Sequence, residues 1–497
     1  MELHQRLLLS AALLAGLLGA AGGPAGAATP PTGATAAPVS FSQLSRLQSQ
    51  GARVTAVVWD LEADQLLGEL QGSQRLTPAS LSKIVIAASA LSTWPPDHTF
   101  ATELRTARAP QSGVVDGDLV LRGGGDSTLD ETTLWGLAAQ LRAAGIRQVR
   151  GRVLVERAPF GELRCDTVDR CAGLRRSSRA YNAAPSAIGV NYGSWCIMVR
   201  APAGATRAEV GGCASGTLPI PLTGTVQVAD SGPALRVERT TGEDGDRIAV
   251  GGSIPAGTER MVHRAMSDPA AGTGQLLRSI LIQAGVAVEG SVETTLRADA
   301  AAGRVLARVE SIPLQEQVGR MMRWSNNYIA DVLTMSVALQ ARGSAPASLA
   351  DASGELTSLL TRAGAANGDG SLVMESGSGL TTSNRLSARD LVLVLREGFR
   401  SARRFPAFYG SFVVPRDASF TYLRSGNADW LDRVALKTGS LTEPVSVNGI
   451  AGYLRKKSGG FMAFAIIVNG GERLRQIPRD TALAAARADL EAVLARY

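Results

Sequence analysis

Histidine is nearly absent from this chain: 497 residues include only three, and past the opening stretch only His98 and His263 remain. A Ser-His-Asp triad or a histidine-rich metal site would need one of these two, and neither lies in a matching motif. His98, beside Asp97 and just after Pro95-Pro96, reads as a surface turn residue; His263, in a strand-like stretch, reads as structural. Cysteine is scarce as well, with four residues and no Cys-x-x-Cys, so no metal is expected. Beyond the N-terminal segment no apolar run is long enough to span a bilayer, which leaves at most peripheral membrane association. Long blocks of one charge and aromatic-basic recognition motifs are also missing. The net charge of +7 permits loose attraction to anionic polymers but does not make a nucleic-acid binder.

The composition that is present, 45% apolar and 19% charged, is that of a folded protein, and the length exceeds one hydrophobic core. The first residues read as a secretory leader: Arg6, the apolar run Leu7 to Leu18, and Ala25-Gly26-Ala27 before Ala28. An uncleaved anchor is the alternative, disfavoured by the short run and by Gly22, Gly23 and Pro24 behind it. Export permits disulfides, and Cys165 with Cys171 and Cys196 with Cys213 is the expected pairing among the possible connectivities; four unpaired buried thiols are the alternative.

Along the chain, Val54 to Asp60 and Gln65 to Leu70 alternate as a strand hairpin. Thr77 as N-cap and Pro78 at the first helical position predict a buried helix running to about Leu91, with Ser80 in its opening turn. Phe100 to Arg304 changes character to short strands and turns, with a strand at Val149 to Glu156, a hairpin around Gly242-Glu243-Asp244-Gly245 and a helix from about Gly274. Helical patterns return from Ile312; strands at Val434 to Lys437, Asn448 to Leu454 and Phe461 to Val468 precede a terminal helix. This order describes one α/β domain split by inserted material.

Three short strings carry chemistry: Ser80-Leu81-Ser82-Lys83, Ser325-Asn326-Asn327 and Lys437-Thr438-Gly439. Residues i and i+3 share a helix face, so Ser80 and Lys83 can supply nucleophile and base from one element. An ordinary lysine is protonated at neutral pH; acting as base requires lowering its pKa by about three units, roughly 4 kcal/mol. Burial or a second cation, for which Lys437 is the candidate, pushes that way. Gly439 at a strand end lets a substrate backbone approach closely. Against these stand an ordinary helix cap for Ser325 and Asn327 and a solvated charge for Lys437. Gly123-Gly124-Gly125-Asp126 lacks the Lys-Ser/Thr of a phosphate loop and reads as a structural turn.

With these strings in this order, the chain resembles the class C low-molecular-mass penicillin-binding proteins, the D-alanyl-D-alanine carboxypeptidase/endopeptidase family, from about Ser40 to its C-terminus. Further matching segments are Asp118 to Asp126, Tyr328-Ile329-Ala330-Asp331 and Ser376-Gly377-Ser378-Gly379-Leu380; the last also has the composition of a flexible turn. The resemblance implies an α/β, transpeptidase-like (serine β-lactamase-like) domain with an antiparallel sheet between helical layers, plus two nested, β-rich inserted domains. The expected boundaries are residues 1–27 for the leader, 28–99 and 306–497 for the catalytic domain, 100–190 and 265–305 for the second domain and 191–264 for the third.

It also implies roles. Ser80 would attack the carbonyl between two D-alanines with Lys83 as base, Ser325 would relay a proton to the leaving amine, and Asn327 would hold Lys83 and the substrate amide. Lys437 would set the electrostatics, Thr438 and Ser440 would bind the substrate carboxylate, and the backbone N–H groups of Ser80 and Ser440 would form an oxyanion hole, each donor worth roughly 3 to 4 kcal/mol. The partners implied are peptidoglycan peptides and, as covalent inhibitors, β-lactams, with no cofactor, outside the cytoplasm. A β-lactamase or esterase on the same scaffold, and a non-catalytic wall-binding or β-lactam-sensing module, are the rivals. An acidic residue that receives the peptide's free amine in some relatives has no clear counterpart: Asp166 and Asp169 lie among Arg164, Arg170, Arg175, Arg176 and Arg179, which read as a solvated loop. The run Arg416 to Asp432 also departs from the family pattern and stays unassigned.

Overall fold

The run Phe461–Asn469 is apolar almost throughout because both of its faces are covered. Side chains of a strand alternate, so Ala463, Ala465 and Ile467 enter one hydrophobic cluster while Met462, Phe464, Ile466 and Val468 enter another on the opposite face. In this computed structural model, which describes residues 38–162, 177–214, 216–297 and 302–497, that strand is the centre of a five-stranded antiparallel sheet. From one edge the order is Val434–Leu441, Val447–Arg455, Phe461–Asn469, Arg53–Asp60 and Gln65–Leu70. The two ends of the described chain therefore share one sheet, with Val54 opposite Val468. The expected leader, Cys165, Cys171, Asp166 and Asp169 lie outside the described residues.

Helices cover both faces, as the resemblance implied. One layer holds Ser82–Thr93, Leu314–Trp324, Asn327–Arg342, Leu349–Arg362 and Ala388–Phe399; the other holds Ser42–Ser49 and Arg479–Arg496. Ser82–Thr93 is buried from Ser82 to Leu91, which is why its sequence is apolar all round rather than striped. No helix among the described residues is long and apolar enough to cross a membrane.

The middle of the chain builds separate sheets around its own hydrophobic cluster. Strand Ala101–Thr106 leaves the helical layer and Arg304–Glu310 returns beside it, antiparallel, in a mixed sheet with Leu119–Gly123, Val153–Glu156 and Val292–Thr295. Ser194–Arg200 lies between Glu209–Gly212 and Glu259–Ala265, and Arg236–Gly242 turns into Gly245–Gly251 as expected. Cys196 and Cys213 are disulfide-bonded, as paired above.

Two sequence expectations need correction here. The strand expected at Val149 to Glu156 divides into Gln148–Val149 and Val153–Glu156, because Gly151 passes so close to Gly117 that a Cβ would lie 2.3 Å from its carbonyl carbon. The helix expected from Gly274 begins earlier, at Pro269, because Asp268 caps it by accepting from the Ala270 and Ala271 amides.

Candidate active site

Ser80 sits in a short 3-10 turn, Ala79–Leu81, that feeds the buried helix Ser82–Thr93. Ala79 takes a left-handed φ of 49°, and Leu81 is driven under the sheet edge against Gly439 and Gly449. The turn brings the Lys83 Nζ within 2.9 Å of the Ser80 Oγ, the pairing expected of an i, i+3 couple. Thr77 does not cap this helix: its hydroxyl donates to the Thr382 carbonyl (3.2 Å) and accepts from Arg385 (3.1 Å).

The second string lies where two helices meet. Ser325, with a left-handed φ of 54°, closes Leu314–Trp324, and Asn326 caps Asn327–Arg342 by accepting from the Ile329 amide at 3.0 Å. Because Asn326 does the capping, the side chains of Ser325 and Asn327 are available to the site. Asn327 Oδ1 accepts from Lys83 Nζ at 2.7 Å, and its Nδ2 donates to the Tyr181 carbonyl at 3.1 Å.

The third string lies on the edge strand Val434–Leu441. Ala435 and Leu436 belong to opposite hydrophobic clusters, so Lys437 and Gly439 fall on the face toward the nucleophile turn. A Cβ on Gly439 would lie 2.7 Å from the Pro78 carbonyl oxygen, which explains the glycine. Lys437 is buried; its Nζ donates to Ser325 Oγ at 2.9 Å and to the Thr438 carbonyl at 2.7 Å, and burial lowers its pKa to about 7.

Leu436 exchanges both backbone hydrogen bonds with Val413 on the side away from the sheet. The two-residue period then aims the N–H groups of Thr438 and Ser440 at the same open edge. By the same alternation their side chains turn toward the Arg479–Arg496 helix, where both residues border a small cavity with Tyr422 and Arg479. Tyr422 comes from the unassigned run, whose ends are tied by an Arg416–Asp432 ion pair.

Sequence reasoning left one contributor undecided. Ser376, Gly377, Ser378 and Gly379 are all buried, so the segment is no flexible turn, and the Ser378 carbonyl accepts from Lys83 Nζ at 2.6 Å. Asp331, one turn along the helix from Asn327, fixes this segment by accepting from Ser376 Oγ (3.1 Å) and the Ser378 amide (3.1 Å). The alternation of serine with glycine was the available signal: a Cβ on Gly379 would lie 1.9 Å from the Ala79 carbonyl oxygen. Other residues take no part. His98 stacks on Trp94 at 5.3 Å, His263 pairs with Cys196 across two strands, and Asp126 closes a turn by accepting from the Thr128 amide and hydroxyl.

Four segments distant in sequence thus place two amines, two hydroxyls, an amide and a main-chain carbonyl in one hydrogen-bonded site. The sequence profile of the D-Ala-D-Ala carboxypeptidase 3 (S13) family matches residues 42–490. The chain belongs to this family. As a member it is a serine hydrolase. A D-alanyl-D-alanine carboxypeptidase from an Actinomadura species is 31% identical over 441 residues, covering 85% of this chain and 78% of that protein. D-alanyl-D-alanine carboxypeptidase DacB of Haemophilus influenzae is 25% identical, covering 87% and 89%. The fold matches a crystal structure of penicillin binding protein 4 (dacB) from Haemophilus influenzae with a TM-score of 0.73 at 22% identity, covering 91% of this chain and 99% of that one.

Proposed function

We propose that this enzyme is a serine D-Ala-D-Ala carboxypeptidase of peptidoglycan, able also to cut peptide cross-links, in which Ser80 is the nucleophile and Lys83 its base. The observation that carries the assignment is the set of acceptors around Lys83. The Asn327 Oδ1 and the Ser378 carbonyl can only accept, so an amine that has given up a proton still donates to both and turns its lone pair to the Ser80 hydroxyl.

Ser80 Oγ attacks the carbonyl carbon of the penultimate D-alanine as its proton passes to Lys83. The amides of Ser80 and Ser440 stabilise the oxyanion, the second supported by the outward N–H direction of the edge strand. Collapse breaks the C–N bond. The leaving nitrogen takes a proton through Ser325 from Lys437, whose pKa of about 7 suits a group that gives and regains a proton at neutral pH. The terminal carboxylate lies along the open strand edge at Thr438 and Ser440, where the outward Thr438 N–H can donate to it. Water then attacks the ester, its proton passing through Ser325 to restore Lys437 while Lys83 returns its proton to Ser80 Oγ, which releases the shortened peptide and restores the hydroxyl. A β-lactam follows the same first step, but its ring nitrogen stays tethered, so the acyl-enzyme persists.

The leader and the Cys196–Cys213 bond support an exported enzyme. We assign 28–99 and 306–497 to the catalytic domain, 100–190 with 265–305 to the second and 191–264 to the third. Digestion of defined peptidoglycan by wild type and by Ser80→Ala, with products identified by mass, is the test. Release of D-alanine and loss of cross-linked dimers by wild type alone are expected; equal products from both proteins would sink the assignment.

A further inference from the structure

Outside the catalytic cleft, an open cleft of about 740 Å³ is lined by Arg179, Arg236, Arg239 and Arg264 with a single acidic residue, Glu238. Arg239 is neutralised by Asp246 at 3.6 Å. The other three have no ion-pair partner among the described residues. The Arg264 Nε and Nη1 donate to the carbonyls of Val237 and His263 at 2.6 and 2.9 Å, which fixes the guanidinium without cancelling its charge. Arg179 and Arg236 are exposed. Burial and the nearby Arg179 depress the pKa of Arg264, and Glu238 offsets them only in part. Cations that outnumber their counter-charges raise the folding free energy, and an anion seated between them would lower it.

The cleft adjoins the site already described. Arg179 opens the turn Ala180–Asn182, and the middle residue, Tyr181, accepts from Asn327 Nδ2 at 3.1 Å. Two residues of backbone span at most about 7 Å, so the rim of the cleft begins one side chain from Asn327. On the reading above, the terminal carboxylate goes to Thr438 and Ser440. The negative charges left over are those on the acyl side of the scissile bond.

We propose that the Arg179–Arg236–Arg264 cleft binds the free carboxylates of the acyl-side stem peptide, making an acidic peptide the preferred substrate. The proposal rests on the carboxypeptidase reading for its ligand. Guanidinium groups suit it because their planar fork matches a carboxylate in two parallel hydrogen bonds.

The test compares binding, by calorimetry on full-length Ser80→Ala protein, of two D-Ala-D-Ala stem peptides that differ only in whether the acyl-side carboxylates are free or amidated. The free acid should bind about tenfold more tightly, the scale of one charge-assisted contact. Arg179→Gln/Arg236→Gln in the same background should bring the ratio close to one, and Arg179→Glu/Arg236→Glu should invert it. Equal affinity for the two peptides, or a preference that survives both double variants, overturns the proposal. Adding inorganic phosphate at rising concentration should compete with the free acid; no competition counts against a carboxylate site. Because binding is read without turnover, failure here is distinct from failure of wild type to release D-alanine, which would refute the catalytic reading instead.

Discussion

The burial of Lys437 can be turned into a measurable stability. It is 2% exposed, and burial takes its pKa from 10.5 to about 7. The sign follows from proton counting. Below pH 7 both folded and unfolded chains bind the proton, and the folded state carries the full desolvation penalty. Between about 7 and 10.5 only the unfolded chain binds it, so stability rises with pH; above 10.5 both are neutral and the penalty is gone. At about 1.4 kcal/mol per pH unit, a shift of this size amounts to roughly 5 kcal/mol. Lys437→Met keeps the length and removes the charge. It also strips donors from Ser325 Oγ and the Thr438 carbonyl, which costs roughly 1 to 3 kcal/mol for each group left unsatisfied. The two groups together cost about 2 to 6 kcal/mol, the size of the removed penalty, so at pH 6 the variant should be close to wild type in stability. Toward pH 10 the wild type sheds its penalty and the variant should become clearly the less stable protein. Urea unfolding combined with hydrogen exchange of the Val434–Leu441 strand, from pH 6 to 10, reads the difference between the two proteins. A difference that does not change with pH would refute the reasoning. Whatever its stability, the methionine variant has no proton for the leaving amine and should hardly turn over peptide.

Gly439→Ala places a Cβ 2.7 Å from the Pro78 carbonyl oxygen and 3.1 Å from the Leu81 amide, backbone atoms that cannot swing away. The edge strand should shift off the nucleophile turn, lowering stability by about 1 to 3 kcal/mol and slowing acylation by labelled penicillin at least tenfold. Asp331→Asn weakens the hydrogen bonds that hold Ser376 and Ser378, freeing the Ser378 carbonyl from Lys83, and acylation should fall by about tenfold or more while peptide KM changes little. Replacing Cys196 and Cys213 by serine opens a loop of sequence separation 17, worth about 3 kcal/mol; it should lower the melting of the inserted sheets while Ser80 remains acylated, as measured by calorimetry and penicillin labelling.

What the sequence disclosed was what local spacing controls. The Ser80–Lys83 couple follows from helical period, the hairpin at Gln65–Leu70 from alternation, and the central strand from an unbroken apolar run. Features that depend on one backbone approaching another were not legible. Gly151 splits a strand because of Gly117, and Thr77 gives up its cap because Thr382 and Arg385 compete for its hydroxyl. Arg179 read as one of a solvated basic run; Arg236 and Arg264, which join it, come from strands far along the chain.

The same limit explains why the Ser376–Gly379 segment was the hardest part of the site to read. Its contribution to Lys83 is a main-chain carbonyl, and every residue type has one, so composition can show only that the backbone comes close, through the glycines, not what it does there. The carboxylate that aims the carbonyl lies on the helix carrying Asn327, and Asn327 itself accepts from the same amine. Two of the groups that accept from Lys83 are therefore set by one rigid element, Asn327–Arg342, Asn327 directly and the Ser378 carbonyl through Asp331. A displacement of that helix relative to Ser82–Thr93 would disturb both hydrogen bonds at once. Burial of Ile329, Ala330 and Leu333 in the same close-packed cluster as Ile86 and Ala90 opposes such a displacement. Catalytic geometry here depends on core packing as directly as stability does: enlarging Ala330 should impair acylation without touching any group that reacts.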